Sequence, residues 1–596
     1  MKRVQGSGFR VQAVLALLLA ATGLRAEEPA TKPADPAPQQ IRHLVDQLGA
    51  KDYFVRQRAE ASLAKFGFAA FDALSQASTS ADLEVASRAK RLLRLMKVEW
   101  SGKADPPKVL ELLRDYGLQD QERRGKTIEA LAALPNEAGI TSLCRLVRYE
   151  KAPLLARLAA LQILTAQKKS DGVFREETVR QIRESLTPCP RPAAQWVLLS
   201  LRSAAEPQVM TEPWTRLIDA EEAVLKATPS ESSPTIVADL LRFQVERLKK
   251  LGRGADAAPA VMRLVKLEKG DRETLRQLFD WLIEQKEWKT VDSLAERFSA
   301  AVDANAILLY LVAEAQAEQG QVDRAEKTAD RALKLNPTNQ QDDIFQHYFA
   351  AGTLQVRGRF AWAKREYRHI IAQGQPTADT TVRVQYLLSE MLHDIGEDRE
   401  AAEVLEQTVQ AVGANRPPEA QIVARTLGEV RARMHYFHAC HWLAKGDLVK
   451  QREELDKALE ADAGDIDVLI ACYRIPDPKP AYREKIRNLI RRTAADLREK
   501  VIDEPENPAN CNQFAWLVGN TEGNLDEALL YSKKSVELTP AAGGYYDTLG
   551  RVYFAKGDLD NAIKTQSKAA EMEPHSGLIR RQLELFKKAR DEKKRT

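Results

Sequence analysis

Apolar residues recur along most of the chain at intervals of three and four, the spacing that places them on one face of an α-helix. The pattern begins near Ile41 and continues almost to the C-terminal end. No stretch of the sequence alternates apolar and polar residues with the β-branched side chains that favour a strand. The sequence therefore predicts an all-α protein, in which short amphipathic helical hairpins stack on one another as an α-solenoid.

A repeat of about thirty residues marks the N-terminal part of this solenoid. Its two copies share an acid, an alanine and a leucine, at Asp52, Ala59 and Leu63 and again at Asp82, Ala89 and Leu93. The pattern D-x-x-V-R-x-x-A-x-x-x-L that begins at Asp52 resembles short HEAT-like repeats, which we expect over 41–170. The next segment, 171–235, contains seven prolines and is predicted to be a connector of short helices.

A stricter period of thirty-four residues appears near the C-terminal end. The positions Ala515, Gly523, Leu525, Ala528, Leu538 and Pro540 recur as Leu549, Gly557, Leu559, Ala562, Met572 and Pro574. The glycines suit the turn between two helices, and the prolines suit the end of the second helix.

The second copy also carries a known family pattern, W-x2-L-G-x2-Y followed by A-x3-F and P. The pattern is met at Tyr546, Leu549, Gly550, Tyr553, Ala562 and Pro574, with Gln566 in place of the phenylalanine of A-x3-F. This segment resembles the tetratricopeptide repeat (TPR) family. The resemblance implies two clear repeats over 509–576 and a capping helix with a basic tail over 577–596.

Degenerate copies of the same repeat are predicted further upstream. They lie at 306–339, 344–377, 382–415 and 432–465 and are anchored on Gly320, Gly358, Gly396 and Gly446. We assign 236–475 to divergent TPR-like repeats and 476–508 to a linker with a helix.

The resemblance also implies a right-handed superhelix, whose inner groove is lined by the first helix of each hairpin and suits a peptide or a partner's helix. The family's groove positions carry over to Tyr310, Tyr348, Tyr386 and Tyr436, which are the candidate partner-binding residues. A half-exposed tyrosine could equally cover a neighbouring hairpin without binding anything. The resemblance favours a scaffold for a protein or peptide partner over an enzyme.

The N-terminal segment predicts export. Residues 1–26 contain a basic start and a short apolar run, as in a signal peptide, and 27–40 form a proline-rich linker. We expect a periplasmic or secreted protein of bacterial type, with membrane contact only if the segment stays uncleaved. Its removal would bring the formal charge from +4 to 0, which argues against nucleic acid as a partner.

Candidate chemistry changes this picture little. The five cysteines have no metal-site or disulfide spacing, although Cys440 and Cys472 could pair across neighbouring helices. His435, His438 and His441 follow one another at intervals of three on one helix, where two imidazoles could share a metal or simply pack. No catalytic motif stands out, so we predict no cofactor, no metal and no enzyme activity. A metal-binding or catalytic protein built on the histidine helix, and a purely architectural spacer, remain the alternatives.

Overall fold

The computed structural model describes residues 38–169, 173–335, 341–376, 378–414 and 421–595. Within these ranges every regular element is a helix, so the all-α prediction is confirmed. The chain divides into two compact units, Met1–Lys269 and Gly270–Thr596, called unit 1 and unit 2 below. The predicted signal peptide at 1–26 and most of the linker at 27–40 lie outside the described residues. None of the described helices is both long enough and apolar enough to cross a membrane.

Unit 1 contains thirteen α-helices in its described part. They are α1 Pro38–Gln47, α2 Tyr53–Phe66, α3 Phe71–Ala77, α4 Leu83–Leu95, α5 Pro107–Leu113, α6 Gln121–Ala132, α7 Ile140–Tyr149, α8 Pro153–Lys169, α9 Glu176–Leu186, α10 Pro192–Arg202, α11 Glu212–Ala227, α12 Pro234–Lys250 and α13 Ala258–Leu267. Short 3-10 turns at Gly67–Ala70, Tyr116–Leu118, Pro135–Glu137, Pro207–Met210 and Gly254–Ala257 lie between them.

The thirty-residue repeat marks the starts of α2 and α4. Asp52 accepts a hydrogen bond from the amide of Phe54 at 2.7 Å, and Asp82 accepts one from the amide of Glu84 at 2.9 Å. Each carboxylate thereby satisfies an amide that has no partner inside its own helix. The alanines of both copies are buried, which lets the helices approach closely. The HEAT-like resemblance of this region stays a prediction.

The segment predicted as a connector, 171–235, lies inside unit 1. There α9 packs against α7, α10 packs against α8, and α11 packs against α12. The boundary between the two units falls after Lys269. Three prolines of the segment, Pro192, Pro213 and Pro234, occupy the first turn of α10, α11 and α12, where a missing amide hydrogen removes no helical bond.

A buried ion pair ties α8 to α11. The guanidinium Nε of Arg157 lies 2.6 Å from Oε1 of Glu221, and the two side chains are 9% and 1% exposed. The hydroxyl of Ser232 also donates to Glu221. A carboxylate buried this deeply depends on such partners, because its loss of hydration is otherwise uncompensated.

Unit 2 contains eighteen α-helices in its described part. They are α14 Arg272–Glu284, α15 Trp288–Arg297, α16 Ser299–Asp303, α17 Ala306–Glu318, α18 Val322–Lys334, α19 Gln341–Val356, α20 Phe360–Gln373, α21 Asp379–Asp394, α22 Asp398–Ala414, α23 Gln421–Ala444, α24 Leu448–Ala461, α25 Ile466–Tyr473, α26 Pro480–Asp503, α27 Pro508–Asn520, α28 Leu525–Leu538, α29 Gly543–Ala555, α30 Leu559–Met572 and α31 Gly577–Arg595.

The predicted glycine anchors lie in the turns of four successive hairpins, α17–α18, α19–α20, α21–α22 and α23–α24. Gly320, Gly358, Gly396 and Gly446 have φ angles of 77°, 71°, 85° and 78°. Backbone of this left-handed kind favours glycine, so the spacing of glycines marks the hairpins correctly.

The helices of unit 2 return on themselves at Asp394, the last residue of α21. Its Oδ1 accepts hydrogen bonds from the hydroxyl of Ser576 at 2.9 Å and from the amide of Leu578 at 3.0 Å. Its carbonyl oxygen accepts a third, from Arg581 at 3.1 Å. Because Ser576 precedes α31 directly, the C-terminal helix starts on the end of α21, and the hairpins between them surround a common interior.

The buried pair in unit 1 leads to a stability prediction with a control on the same helix. Glu221→Ala should lower the free energy of unfolding by about 3 kcal/mol, because Arg157 is left buried without its counter-charge. Glu212→Ala removes a glutamate from the first turn of α11 that pairs with Arg216, where both side chains are at least 70% exposed. That change should lower the free energy of unfolding by about 1 kcal/mol or less. Urea denaturation of the full-length variants measures both, and equal effects would contradict the prediction.

Candidate binding cavity

The interior of unit 2 holds a cavity of about 450 Å³. Its lining comes mainly from the first helices of successive hairpins, as the groove of the predicted superhelix requires. The lining residues include His393 on α21, Tyr436 and Cys440 on α23, Arg474 on α25, Trp516 on α27, Asp547 on α29 and Gln582 on α31. Such a volume lies within the usual range of ligand sites.

One wall of the cavity is fixed by Arg433. Its guanidinium donates to both carboxylate oxygens of Glu390, at 2.6 and 2.9 Å, and to Asp467 at 2.7 Å. The same group lies 4.9 Å from the centre of the Tyr436 ring. Trp516 completes the wall, because its indole N–H donates to Asp467 at 2.9 Å. Arg433 therefore joins the first helices α21, α23 and α25, and Asp467 joins α27 to them.

The electrostatics of this wall follow from burial and pairing. Burial alone would raise the pKa of Asp467, but the charge of Arg433 and the hydrogen bond from Trp516 outweigh it and hold that pKa below its ordinary value. Burial would likewise lower the pKa of Arg433, yet its bond to Glu390 and the charge of Asp467 raise it well above the usual range. Asp467 and Arg433 are thus both charged at neutral pH.

Arg474 and Arg551 bring two further positive charges to unit 2. Arg474 donates to the side-chain oxygen of Asn520, and Arg551 donates to the carbonyl of Gly519 at 3.1 Å. Among the described residues neither forms a salt bridge. Burial and the nearby charge of Arg474 lower the pKa of Arg551 to about 10, and burial lowers that of Arg474. The charge of Asp547 acts in the opposite direction on Arg551, and that of Asp467 does so on Arg474, but among the described residues neither carboxylate forms a salt bridge with these arginines.

Asp547 shows why the family pattern departs at Gln566. The amide nitrogen of Gln566 donates to Asp547 and, at 3.1 Å, to the carbonyl of Ile579. Gln582 donates to the same carboxylate at 2.9 Å. The glutamine therefore joins α29, α30 and α31, which an aromatic side chain could not do by hydrogen bonds. Burial nevertheless raises the pKa of Asp547 to about 6.

The four candidate tyrosines occupy different environments. Tyr310 is only 3% exposed, and its hydroxyl donates to the buried Glu366. Tyr348 and Tyr386 are each 37% exposed. Tyr436 lines the cavity beside Arg433. Tyr310 therefore serves packing in this structure, while a partner-binding role for the other three stays a prediction.

The histidines of α23 point to different neighbours. His435 bonds to Glu454 on α24 at 2.6 Å, whereas His438 bonds to Glu406 on α22 at 2.9 Å. The structure does not bring these two imidazoles together, so they pack rather than share an ion. Cys440 and Cys472 are free thiols, as are the other three cysteines.

A different set of ligand-type side chains does converge, at the start of the α21–α22 turn. One donor atom each from His393, Asp398 and Cys440 lies within 4.8 Å of the other two. Nδ1 of His393 lies 2.5 Å from Oδ1 of Asp398. The sequence carried a weak signal for the pair, since both flank the turn glycine Gly396, but nothing local connects them to Cys440.

The raised pKa of Asp547 leads to a pH-dependent stability prediction. Its folded-state value of about 6 exceeds the ordinary value of about 4, so the folded state holds the proton more tightly than the unfolded state. This contribution to stability is complete below about pH 4 and is lost as the pH rises through 6. Asp547→Asn keeps an acceptor oxygen for the two glutamines but cannot ionise. It should therefore be more stable than the unchanged protein at pH 7.5 by about 1 to 2 kcal/mol, with a smaller gain at pH 5.

Urea denaturation at the two pH values makes this comparison. Asp526→Asn, on a residue that is 89% exposed, is the matched control and should show no such difference. An effect of Asp547→Asn that is the same at pH 5 and pH 7.5 would contradict the assignment.

Comparison with known proteins identifies two repeats. The tetratricopeptide repeat family model matches residues 306–339 and 544–576. These matches fall on the hairpins α17–α18 and α29–α30. The preceding hairpin, α27–α28, lies outside the matches, and its turn glycine Gly523 has a φ of 145° where Gly557 has 78°. No curated protein matches the chain.

Two solved structures illustrate the similarity. One is YrrB, described as a TPR protein with an unusual peptide-binding site, at 17% identity and a TM-score of 0.16, covering 33% of this chain and 89% of that one. The other is the TPR domain of P58(IPK), at 13% identity and a TM-score of 0.17, covering 67% of this chain and 98% of that one. With scores this low, the identification rests on the two matched segments: unit 2 carries tetratricopeptide repeats, at 306–339 and at 544–576.

Proposed function

We propose that the protein is an exported interaction scaffold that binds a segment of a partner protein, or a peptide, in the cavity of unit 2. The tetratricopeptide repeats support a scaffold for protein–protein interaction. The observation that carries the finer proposal is the uneven pairing of charges in the unit 2 interior. Arg433 forms salt bridges with Glu390 and Asp467. Among the described residues Arg474 and Arg551 form none, although the charges of Asp467 and Asp547 act on them from further away.

This imbalance suggests the chemistry of the ligand. A carboxylate on the partner, from an aspartate, a glutamate or a chain end, would supply the directly bonded counter-charge that the two arginines lack. Trp516 and Tyr436 offer flat apolar surface at the same cavity, where side chains next to the carboxylate can pack. The partner segment is therefore expected to combine acidic and apolar residues.

Export rests on the N-terminal segment alone. The basic residues and apolar run of 1–26 are typical of a signal peptide, and we propose a periplasmic or secreted location on that basis. Sequencing of the mature N-terminus in the producing cell tests it. A start close to Glu27 supports export with cleavage, and a chain that begins at residue 1 in the cytoplasm contradicts it.

The proposal assigns no enzyme activity to the chain. The architectural alternative differs in one respect, because a spacer needs no ligand in the cavity. A binding experiment on the cavity therefore separates a scaffold that recruits a partner from a spacer.

Selection from a displayed peptide library on the full-length protein is the test. The selected peptides should be enriched in aspartate, glutamate or a free C-terminal carboxylate. Arg474→Gln should weaken their binding by about tenfold or more, because a charged hydrogen bond contributes about 1.5 to 3 kcal/mol. Arg399→Gln is the matched control, since Arg399 is 73% exposed and pairs only with Glu403 within its own helix. Binding to the control should equal that of the unchanged protein.

Two outcomes would overturn the assignment to this cavity. One is a library that yields no binder. The other is a set of binders that Arg474→Gln leaves intact while Tyr348→Ala or Tyr386→Ala abolishes binding, which would place the contact on the exposed tyrosines instead.

A further inference from the structure

The set His393, Asp398 and Cys440 combines three kinds of donor atom on three helices. His393 belongs to the last turn of α21, Asp398 begins α22, and Cys440 lies on α23 of the next hairpin. An imidazole nitrogen, a carboxylate oxygen and a thiol sulfur all approach within 4.8 Å of one another. These donor types are the ones that bind zinc in proteins.

We propose that His393, Asp398 and Cys440 bind a Zn²⁺ ion as a three-ligand site. The repeat pattern does not require these residue types at these positions. The proposal is independent of the peptide ligand proposed for the cavity.

The distances are compatible with an ion of this size. Zinc bonds of about 2.0 to 2.3 Å in a tetrahedral arrangement place the ligand atoms roughly 3.3 to 3.6 Å apart. Nδ1 of His393 and Oδ1 of Asp398 are closer, at 2.5 Å, because they are hydrogen-bonded to each other. The sulfur of Cys440 lies within 4.8 Å of both ligand atoms. Binding therefore needs the sulfur to move inwards by at most about 1.5 Å and the hydrogen-bonded pair to part by about 1 Å, which side-chain rotation can supply.

The surroundings hold the ligands in place. The His393 ring packs against Phe437 at 5.0 Å between centroids and against Tyr436 at 5.5 Å. The next residue, Asp394, is bonded to the start of α31. The imidazole is therefore restrained on both sides before any ion arrives, as pre-organised metal ligands are.

Charge also favours a divalent cation. One aspartate and one cysteine thiolate would neutralise Zn²⁺, and the neutral imidazole adds a third bond. The Cys440 proton leaves for solvent when the sulfur binds, while the imidazole of His393 keeps one proton, on the ring nitrogen that does not bind the ion. The neighbouring charge of Arg433 is already balanced by Glu390 and Asp467, so it does not face the ion alone.

The position of the site gives the ion an open side. His393 and Cys440 both line the 450 Å³ cavity. Three protein ligands leave the fourth position of a tetrahedral ion to a water molecule or to a donor atom of whatever occupies that cavity.

Cobalt substitution of the full-length protein, prepared without a histidine tag and under reducing conditions, tests the proposal. Co²⁺ should bind at about one ion per chain and show a thiolate-to-cobalt charge-transfer band, and Zn²⁺ should displace it. Cys440→Ala and Asp398→Asn should each weaken Zn²⁺ binding by more than about 100-fold, since loss of a ligand exceeds the effect of an outer partner.

Two matched controls separate this site from its neighbours. Cys472→Ala removes another free thiol of unit 2, and His438→Ala removes an imidazole two residues before Cys440 that bonds to Glu406. Both should keep the unchanged affinity and the charge-transfer band. Failure of the unchanged protein to bind Co²⁺ or Zn²⁺ would overturn the proposal, whatever the stability of the variants. Retention of the charge-transfer band in a folded Cys440→Ala protein would also overturn it, because the sulfur ligand would then lie elsewhere.

Discussion

The carboxylate of Asp394 lies at the N-terminal end of α31, and the interior of unit 2 depends on that contact. A helix N-terminus carries unsatisfied amides and a partial positive charge, both of which a carboxylate compensates. Asp394 reaches this end from α21, 184 residues earlier than Leu578. Together with the hydrogen bond from Arg581 to the carbonyl of Asp394, this contact joins α31 to α21 beside the cavity that Leu578 and Gln582 line.

Once the helices return on themselves, the inward side chains must satisfy one another. Arg433 joins Glu390 and Asp467 from the two neighbouring first helices, while Gln566 joins Asp547 to the last helix. Among the described residues Arg474 and Arg551 donate to the side chain of Asn520 and to the carbonyl of Gly519 rather than to a carboxylate. The same geometry thus leaves two arginines of unit 2 without a salt bridge, which connects the fold to the proposed ligand.

The features that could be predicted from the sequence are those with a local cause. A glycine in a left-handed turn needs no distant partner, so Gly320 and Gly396 marked their hairpins correctly. The prolines of 171–235 were interpreted as divisions between short helices, and Pro192, Pro213 and Pro234 each lie in the first turn of one. Tyr310 shares its repeat position with Tyr386 but is buried, and its hydroxyl donates a hydrogen bond to Glu366, which lies 56 residues further along the chain. Contacts of that range, including those of Arg433 and Asp394, leave no periodic trace in a single sequence.

The most direct test of this account is residue-resolved hydrogen–deuterium exchange at the amide of Leu578. This amide lies in the first turn of α31, so it has no partner within its own helix. It should nevertheless exchange as slowly as amides inside α29, because its hydrogen is held by Asp394 at 3.0 Å. Exchange as fast as that of an unbonded surface amide would contradict the closure of unit 2, and with it the enclosed cavity on which the proposed function depends.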